Sequence, residues 1–316
     1  MRIVWVSFAP LRKTPASLTS DLASVRYRLA LPAQAIAGST LTHIGPGANR
    51  RTLLERFAGA DAAVFGKVFD AALGEPALEL AAALRQRGVK VIADFSDDNF
   101  AHPGIGPVQR AVANAADAVV ASTPGLAAVL KEYTAAPVRV ITDPVEGVRG
   151  APRDSLRSPP RLLWFGHPLN LDTLRHALPQ LAGYPLTVMT AAGAGAEGLG
   201  DRFRAWSTGA LFEALAECDA AVLPSIPEDP RKAVKSPNRF TEALWAGRFV
   251  LAHPLPAYQA LAPFGWVGED LRDGLAWLGS HFEQAGERIL AGQAWIEEHC
   301  SRAAVGRAWQ AAVAAA

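Results

Sequence analysis

The sequence has few cysteines, and it has neither a dense block of one charge nor a long apolar run. Cys218 and Cys300 are its two cysteines, too few and too far apart to indicate a disulfide framework or a cysteine metal site. The net charge of +1 and the lack of a Lys/Arg block give no basis for a nucleic-acid partner. The N-terminal apolar run 3–8 is too short for a signal peptide or a membrane span. We therefore expect a protein of the reducing cytoplasm.

Apolar runs of strand length alternate with segments of helical periodicity along most of the chain. The runs predict strands at 3–8, 40–44, 62–68, 89–95, 118–122, 138–142, 161–166, 186–190, 220–223 and 249–252. Helices are predicted in the first half at 22–37, 50–58, 76–87, 105–116 and 124–133. This alternation is typical of parallel sheets covered on both faces, so the expected fold class is α/β.

The alternation pauses at a segment rich in proline, glycine and arginine. Residues 144–160 show little apolar periodicity, which is typical of an interdomain linker. The predicted organisation is a first domain over 1–146, a linker over 147–160 and a second domain over 161–316. Whether the last helix crosses back to the first domain stays open at this point.

The most informative segment lies between two predicted strands of the second domain. Residues 235–248 read Lys-Ser-Pro-Asn-Arg-Phe-Thr-Glu-Ala-Leu-Trp-Ala-Gly-Arg, and the apolar run 249–252 follows at once. Pro237 and Asn238 predict the start of a helix, and Gly247 predicts its end.

The start of this helix has the chemistry of a phosphate site. Lys235, Ser236 and the free backbone N–H groups near Asn238 suit an anion. Glu242 lies one turn deeper on the same face, where its carboxylate could accept hydrogen bonds from ribose hydroxyls. The alternative interpretation is a capped amphipathic helix with a solvated lysine and glutamate.

The run from Glu242 to Gly247, Glu-Ala-Leu-Trp-Ala-Gly, resembles the second-domain signature of retaining, nucleotide-sugar-dependent GT-B glycosyltransferases. That family usually shows two glutamates eight positions apart, and the second begins a Glu-Ala-x-x-x-Gly run before a strand. The first glutamate is missing here, because Val234 stands at its position. In the family the second glutamate contacts the nucleotide ribose and the first contacts the donor sugar. The resemblance therefore implies nucleotide binding more strongly than the sugar contact.

The resemblance implies a GT-B architecture, in which two Rossmann-like doubly wound domains face a central cleft. It also implies a glycosyltransferase that moves a sugar from a nucleotide diphosphate donor to the hydroxyl of a glycan or glycoconjugate acceptor, with retention, in surface-polysaccharide or glycoconjugate biosynthesis. Such enzymes need no catalytic metal, and the nucleotide sugar is a substrate rather than a cofactor. A peripheral contact at the inner face of the membrane and the oligomeric state are left open.

Two acids after the predicted strand 220–223 are candidates for the missing sugar contact. We expect Asp229, or failing that Glu228, to bind the donor sugar, since the prolines on either side would stiffen the loop. The alternative is a solvated acidic loop beside Arg231 and Lys232. Those two cations could themselves stabilise charge on the β-phosphate.

The end of the predicted strand 161–166 supplies Gly166 and His167. Under the resemblance this turn approaches the donor diphosphate, where His167 could bind a phosphate oxygen or the donor sugar. A structural role for His167 in the turn is the alternative.

An acidic loop and a basic helix start characterise the first domain. Asp94 lies near the end of the predicted strand 89–95, and Asp97 and Asp98 follow it, where ligands of open α/β sheets bind. They could bind an acceptor hydroxyl, pair with the segment of Arg26 and Arg28, or cap the next helix. Arg26 could instead reach a phosphate or a carboxylate.

Two other functions stay open. One is a catalytically silent GT-B subunit that binds a nucleotide sugar or a partner protein. Val234, at the position of the missing first glutamate, supports this alternative. A sugar-nucleotide epimerase or an inverting transferase would need a base, for which Asp97, Asp98 and His167 are the candidates.

Overall fold

The computed structural model describes residues 1–15, 17–226 and 229–316. The chain divides into two compact units. The first unit comprises Met1–Pro144, Val234–Ser236 and Cys300–Ala316, and the second comprises Val145–Ala233 and Pro237–His299. Each unit is described by itself below.

The strands follow the apolar runs closely. They are β1 Ile3–Ser7, β2 Arg12–Lys13, β3 Leu18–Thr19, β4 Thr40–His43, β5 Ala62–Phe65, β6 Lys90–Phe95, β7 Ala118–Ala121, β8 Val138–Val140, β9 Leu162–Phe165, β10 Leu186–Thr190, β11 Arg202–Ala205, β12 Ala220–Leu223, β13 Phe249–Ala252 and β14 Trp266–Val267.

The helices fill the segments between them. They are α1 Ala23–Val25, α2 Leu31–Ala35, α3 Arg50–Arg56, α4 Gly74–Arg85, α5 Gly106–Ala115, α6 Pro124–Leu130, α7 Leu171–Leu181, α8 Thr208–Glu217, α9 Pro230–Ala233, α10 Asn238–Trp245, α11 Pro256–Gln259, α12 Leu271–Ser280, α13 Phe282–His299 and α14 Arg302–Ala314. A π-helix, Arg26–Ala30, joins α1 to α2, and short 3₁₀ turns lie at Ala71–Leu73, Pro168–Asn170 and Ala262–Phe264.

In the first unit the described residues form a parallel six-stranded sheet of order β4-β1-β5-β6-β7-β8. Its central strands are buried on both faces, which is why β5 and β7 are apolar throughout. The helix α14 completes one face, where Trp309 packs edge-on against Trp5. The strand order reverses between β1 and β5, and such a switch point is where open α/β sheets bind ligands.

The second unit contains a parallel sheet of the same size among its described residues, with order β11-β10-β9-β12-β13-β14. Its switch point lies between β9 and β12. The carboxyl end of β9 leads into Gly166, and that of β12 leads into the loop before α9. The prediction of an α/β fold with two Rossmann-like sheets is confirmed.

Several short or polar strands lack a sequence signal. The two-residue strands β2, β3 and β14 are too short to show periodicity. The edge strand β11 reads Arg-Phe-Arg-Ala and is partly exposed along its length, so it carries no apolar run. The segment 147–160 lies in the second unit, where buried Asp219 accepts hydrogen bonds from Arg157 at 2.6 Å and from the N–H of Arg161 at 2.8 Å.

Candidate functional site

The helix α10 begins and ends as its sequence predicts. Pro237 occupies the N-cap position, and Asn238 is the first helical residue. Gly247 has φ +76°, the left-handed conformation that glycine adopts after a helix without steric cost. Phe240 and Thr241 donate their N–H groups to the carbonyl oxygen of Pro237 at 2.8 and 3.0 Å. The N–H groups of Asn238 and Arg239, at the positive end of the helix dipole, are therefore the ones that an anion could use.

Arg239 lies beside the turn that follows β9. Its Nη1 donates to the carbonyl oxygen of Phe165 at 3.4 Å, and its Nη2 donates to the hydroxyl of Tyr258 at 3.4 Å. A Cβ atom on Gly166 would lie only 3.2 Å from Nη1 of Arg239. The glycine therefore allows the guanidinium to approach the carboxyl end of β9, and the two long hydrogen bonds leave it able to bind a ligand.

A second cation reaches the same turn from α9. Nζ of Lys232 donates a hydrogen bond to Oδ1 of Asn170. His167 begins the 3₁₀ turn, and its Nδ1 accepts the N–H of Leu169 at 3.2 Å. The turn after β9 is thus flanked by Lys232 and Arg239 at the switch point of the second sheet.

Arg239 is a residue that the sequence interpretation passed over, although it carried a signal. A positive charge in the first turn of a helix opposes the helix dipole. Residues that violate a local rule are concentrated at functional sites. Its proximity to Gly166 could not be read from the sequence, because 73 positions separate them.

Glu242 lies on α10, but the residue is only 2% exposed. Its Oε1 accepts the N–H of Glu146, and its Oε2 accepts the N–H of Gly147 at 3.2 Å. Glu242 therefore holds the backbone of the segment that enters the second unit. A ribose hydroxyl that bound Glu242 would donate to these same carboxylate oxygens.

The acidic loop before α9 is only partly described. Glu228 lies outside the described residues. Asp229 is bound by its neighbour Arg231, whose Nε and Nη2 donate to the carboxylate at 3.1 and 3.0 Å. That side-chain hydrogen bond lowers the pKa of Asp229. Arg231 is itself largely exposed, so the pair forms a local cap at the start of α9.

In the first unit two lysines share one aspartate. Through Oδ2, Asp97 accepts a hydrogen bond from Nζ of Lys67 at 2.9 Å. Through Oδ1, it accepts a hydrogen bond from Nζ of Lys235. Burial by itself would raise the pKa of Asp97, but the charges of Lys235 and Lys67 outweigh it and hold the value at about 2. A carboxylate with so low a pKa is a weak proton acceptor near neutral pH, so Asp97 serves to place two cations.

Replacing Asp97 with asparagine should remove a pH-dependent part of the stability. The folded-state pKa lies below the unfolded value, so the stabilisation is present above about pH 4 and is lost as pH falls towards 2. We expect Asp97→Asn to lower the free energy of unfolding near neutral pH by about 2 kcal/mol. Urea unfolding across this pH range checks the prediction. Wild type and variant should converge in acid, and parallel curves would contradict the assigned pairing.

Two other predicted residues of this region have structural partners. Oδ1 of Asp98 accepts the N–H of Phe100 at 3.2 Å. Arg26 is buried and donates to the carbonyl oxygen of Asp21 at 3.1 Å. Ser236 differs from them, because its buried hydroxyl has no hydrogen-bond partner among the described residues.

The acidic loop also pairs with the basic helix start, as one of the predicted alternatives states. Buried Arg28 donates to Asp94 through Nη2 at 2.6 Å and to Asp143 through Nη1 at 2.9 Å. Burial raises the pKa of Asp94, and the charge of Arg28 partly offsets this. Arg28, Asp94 and Asp143 thus form a buried triad, which ties the π-helix to the carboxyl end of β6 and to the segment after β8.

A narrow pocket opens at the switch point of the first sheet. Ser24, Lys67, Phe69 and Ser96 line it, and Nζ of Lys67 lies 5.2 Å from the ring centre of Phe69. The pocket thus combines hydroxyls, an ammonium group and an aromatic ring.

A larger groove of about 450 Å³ in the second unit lies away from this chemistry. Its lining includes Leu181, Pro185 and Asp201, beside the amino ends of β10 and β11. Ligands of open α/β sheets bind at the carboxyl ends, so we do not assign the groove to the site.

Two observations concern metals and membranes. The described ranges contain no group of three or more side chains arranged to hold a metal ion. Nor do those ranges include a helix long and apolar enough to span a bilayer.

Comparison with solved structures identifies the fold. The crystal structure of Anabaena Alr3699/HepE in complex with UDP and glucose superimposes with a TM-score of 0.72 and 11% identity over all of both chains. Its complex with UDP-glucose gives 0.68 and 10%, again over all of both chains. AviGT4, a glycosyltransferase involved in avilamycin A biosynthesis, gives 0.60 and 14% over 99% of this chain and 97% of its own. No protein-family model and no curated protein matches the sequence. The chain therefore has the GT-B fold, as the resemblance predicts.

Proposed function

We propose that this protein is a glycosyltransferase that moves a sugar from a nucleotide diphosphate donor to a hydroxyl acceptor. The observation that carries the proposal is the placement of Arg239, Lys232 and the start of α10 around the turn after β9, at the switch point of a Rossmann-like sheet. Two cations and a helix N-terminus suit a diphosphate, which carries several oxyanions close together. The bound UDP and UDP-glucose in structures of the same fold support this choice.

The proposed catalytic role of these groups is electrostatic. Charge builds on the β-phosphate as the bond to the sugar breaks, and Arg239, Lys232 and the α10 N–H groups would stabilise it without moving. For a retaining enzyme, the leaving diphosphate would help to deprotonate the attacking hydroxyl on the same face, so no protein nucleophile is needed. Transfer with purified protein and a donor panel tests catalysis. The stereochemistry of the product tests retention.

Lys235 is expected to contribute affinity for the phosphates only. Lys235→Ala should weaken binding of a nucleoside diphosphate by about 1–3 kcal/mol, the range for a charge-assisted hydrogen bond, and leave nucleoside binding nearly unchanged. Calorimetric titration with both ligands measures this change. Lys131→Ala, which removes an exposed lysine of the same unit, is the control. Equal losses for nucleoside and diphosphate would place Lys235 away from the phosphates.

Glu242 is the proposed ribose ligand, with a ribose hydroxyl donating to the carboxylate that also accepts the N–H groups of Glu146 and Gly147. Glu242→Gln should weaken the binding of a ribonucleoside diphosphate by about 1–3 kcal/mol. It should weaken the binding of the 2′-deoxy analogue less, because that ligand already lacks one of the hydroxyl partners. Equal losses of affinity for the two ligands would show that Glu242 binds the backbone N–H groups and not the ribose. Urea unfolding of the variant, measured alongside, reports the cost of those contacts separately.

The acceptor is proposed to bind at the first unit's pocket. The pocket has about 10 Å³ of space, enough for no more than a small group. We therefore propose that one acceptor hydroxyl enters it and binds Lys67, Ser24 or Ser96. The rest of the saccharide would lie outside and pack against Phe69. Lys67→Ala should then raise the acceptor KM and leave donor affinity unchanged. A glycan or glycoconjugate is the proposed acceptor class, with surface-polysaccharide or glycoconjugate assembly as the proposed setting.

A silent nucleotide-sugar-binding subunit is the second candidate, and the burial of Val234 favours it. Val234 is 6% exposed within the core of the first unit, and Thr123 donates to its carbonyl oxygen at 2.8 Å, so this position offers a sugar nothing polar from its side chain. In the active enzyme another acid, with Asp229 proposed first, would make that contact. Asp229→Asn should lower turnover and leave nucleoside diphosphate affinity intact. Binding without transfer across donors and acceptors would favour the silent subunit.

A further inference from the structure

A buried histidine, His253, lies at the carboxyl end of β13, on the edge of the second sheet where a ligand would bind. The strand β13 pairs in parallel with β12, and the N–H of His253 donates to the carbonyl oxygen of Leu223 at 3.2 Å. His253 is 5% exposed. An imidazole buried to this degree needs hydrogen-bond partners for its ring nitrogens, and the proposed donor site does not use it.

Both ring nitrogens of His253 have partners. Nε2 lies 3.2 Å from Oε1 of Gln180. That atom also accepts the N–H of Leu271 at 3.0 Å, which assigns it as the amide oxygen, so Nε2 carries a proton and donates to it. Nδ1 faces the backbone of Ser225. A neutral ring accepts the N–H of Ser225 at 3.2 Å, and a doubly protonated ring donates to its carbonyl oxygen at 2.8 Å. The ring therefore binds Ser225 in both protonation states.

The imidazole thus joins four segments of the second unit. Gln180 lies in the last turn of α7, and Leu271 begins α12. His253 follows β13, and Ser225 follows β12. Ser225 is itself 5% exposed, so its backbone groups depend on protein partners rather than on water. His253 therefore anchors the start of the loop after β12 to two helices of the unit.

The anchored loop leads to groups of the proposed donor site. The N–H of Asp229 donates to the carbonyl oxygen of Ile226 at 3.2 Å, and the N–H of Lys232 donates to the carbonyl oxygen of Asp229 at 2.8 Å. The ammonium group of Lys232 in turn binds Asn170 in the turn after β9. The backbone at Ser225 therefore helps to set where Asp229 and Lys232 lie relative to that turn.

We propose that His253 is a positioning residue for sugar transfer. It holds the backbone of Ser225 and so keeps Asp229 at the donor sugar, without touching a substrate itself. This role rests on the proposed function, in which Asp229 makes the sugar contact. Transfer is sensitive to such placement, because a misplacement of about 1 Å can lower a rate about 100-fold.

Two substitutions of His253 separate positioning from a loss of packing. Asparagine places an amide near the position of Nδ1, where it can meet either backbone group of Ser225, whereas glutamine extends towards Gln180 and leaves Ser225 without that partner. His253→Asn should keep turnover within about threefold of wild type, and His253→Gln should lower it at least about tenfold. Affinity for the nucleoside diphosphate should change less than about threefold in both variants, because Arg239 is held by other contacts.

Turnover is measured as release of the diphosphate from UDP-glucose and from GDP-mannose, with and without saccharide acceptors. Urea unfolding is measured for each variant. Equal turnover in His253→Asn and His253→Gln, or losses that simply follow the loss of stability, would overturn the proposal. His281→Gln changes an exposed histidine of the same unit and should leave turnover unchanged.

The other end of the chain of hydrogen bonds gives an independent test. Gln180→Ala should lower turnover about three- to tenfold, and the double variant with His253→Gln should lose no more than His253→Gln alone, because the two residues act through one contact. Additive losses would overturn the proposal. Gln180→Ala also decides the question if His253→Gln does not fold.

The wild type distinguishes this role from the proposed function. Absence of both transfer and nucleotide-sugar binding in the wild type would reject the function and the role together. Transfer by the wild type with equal rates in the variants would reject only the role of His253. If the wild type binds UDP-glucose without transfer, the ratio of its Kd values for UDP and UDP-glucose replaces turnover, and His253→Gln should change that ratio more than His253→Asn.

Discussion

Replacing Arg28 with alanine is expected to destabilise the protein by about 3–5 kcal/mol, the cost of breaking a buried ion pair by removing one partner. Arg28 is 2% exposed and satisfies Asp94 and Asp143, which are also buried. It also donates to the carbonyl oxygen of Ile141 at 2.7 Å. Its removal leaves two carboxylates without a cation and one carbonyl without a donor. Urea unfolding followed by circular dichroism measures the loss.

Two controls assign that loss to the triad. Arg28→Lys keeps the charge but cannot reproduce the forked contacts, so it should lose less than the alanine variant. The deficit of Arg28→Ala should narrow in acid, because protonated carboxyls no longer need a cation. A loss below about 1 kcal/mol would show that the triad contributes no more than an exposed pair.

Replacing Arg239 with alanine is expected to weaken nucleoside diphosphate binding about 10- to 150-fold, equivalent to about 1.5–3 kcal/mol for a hydrogen bond between charged groups. The long contacts to Phe165 and Tyr258 indicate that the structural cost is small. Arg239 is therefore placed to act on a ligand rather than to hold the fold. Calorimetric titration with the best-binding nucleoside diphosphate measures the change.

Matched variants define what Arg239 contributes. Arg239→Lys should recover part of the affinity, since it keeps the charge but loses bidentate geometry. Arg202→Ala removes an exposed arginine at the amino end of β11, paired with Glu217, and should leave affinity unchanged. A loss in Arg202→Ala equal to that in Arg239→Ala would attribute binding to the net charge of the unit.

The regular elements could be predicted because their signals are local. The buried strands are continuous apolar runs, and α10 is bounded by residues with known conformational preferences, Asn238 and Gly247. The segments that gave no signal are short or polar, as in β11, where edge position replaces an apolar run. The local sequence pattern therefore predicted the central strands of each sheet better than the edge strands.

The site could be predicted only in outline, because its contacts join distant positions. One predicted alternative paired the acidic loop with the segment of Arg26 and Arg28. The sharing of Asp97 by Lys67 and Lys235 was not predicted. Glu242 was predicted to face a ligand, and its burial against the backbone at 146 and 147 depends on tertiary packing. Such pairings need the assembled fold, since no residue type or spacing specifies them.

The most direct test of the proposed donor site is equilibrium binding of a nucleotide panel to the wild-type protein. Thermal shift and calorimetry with UDP, GDP, dTDP, CDP and ADP, each beside its nucleoside, measure it, because a ligand that binds only the folded state raises its stability. We expect at least one diphosphate to bind, its nucleoside to bind far more weakly, and Arg239→Ala to remove most of the difference. Binding of none of the five, or equal binding of nucleoside and diphosphate, would contradict a diphosphate site at the turn after β9.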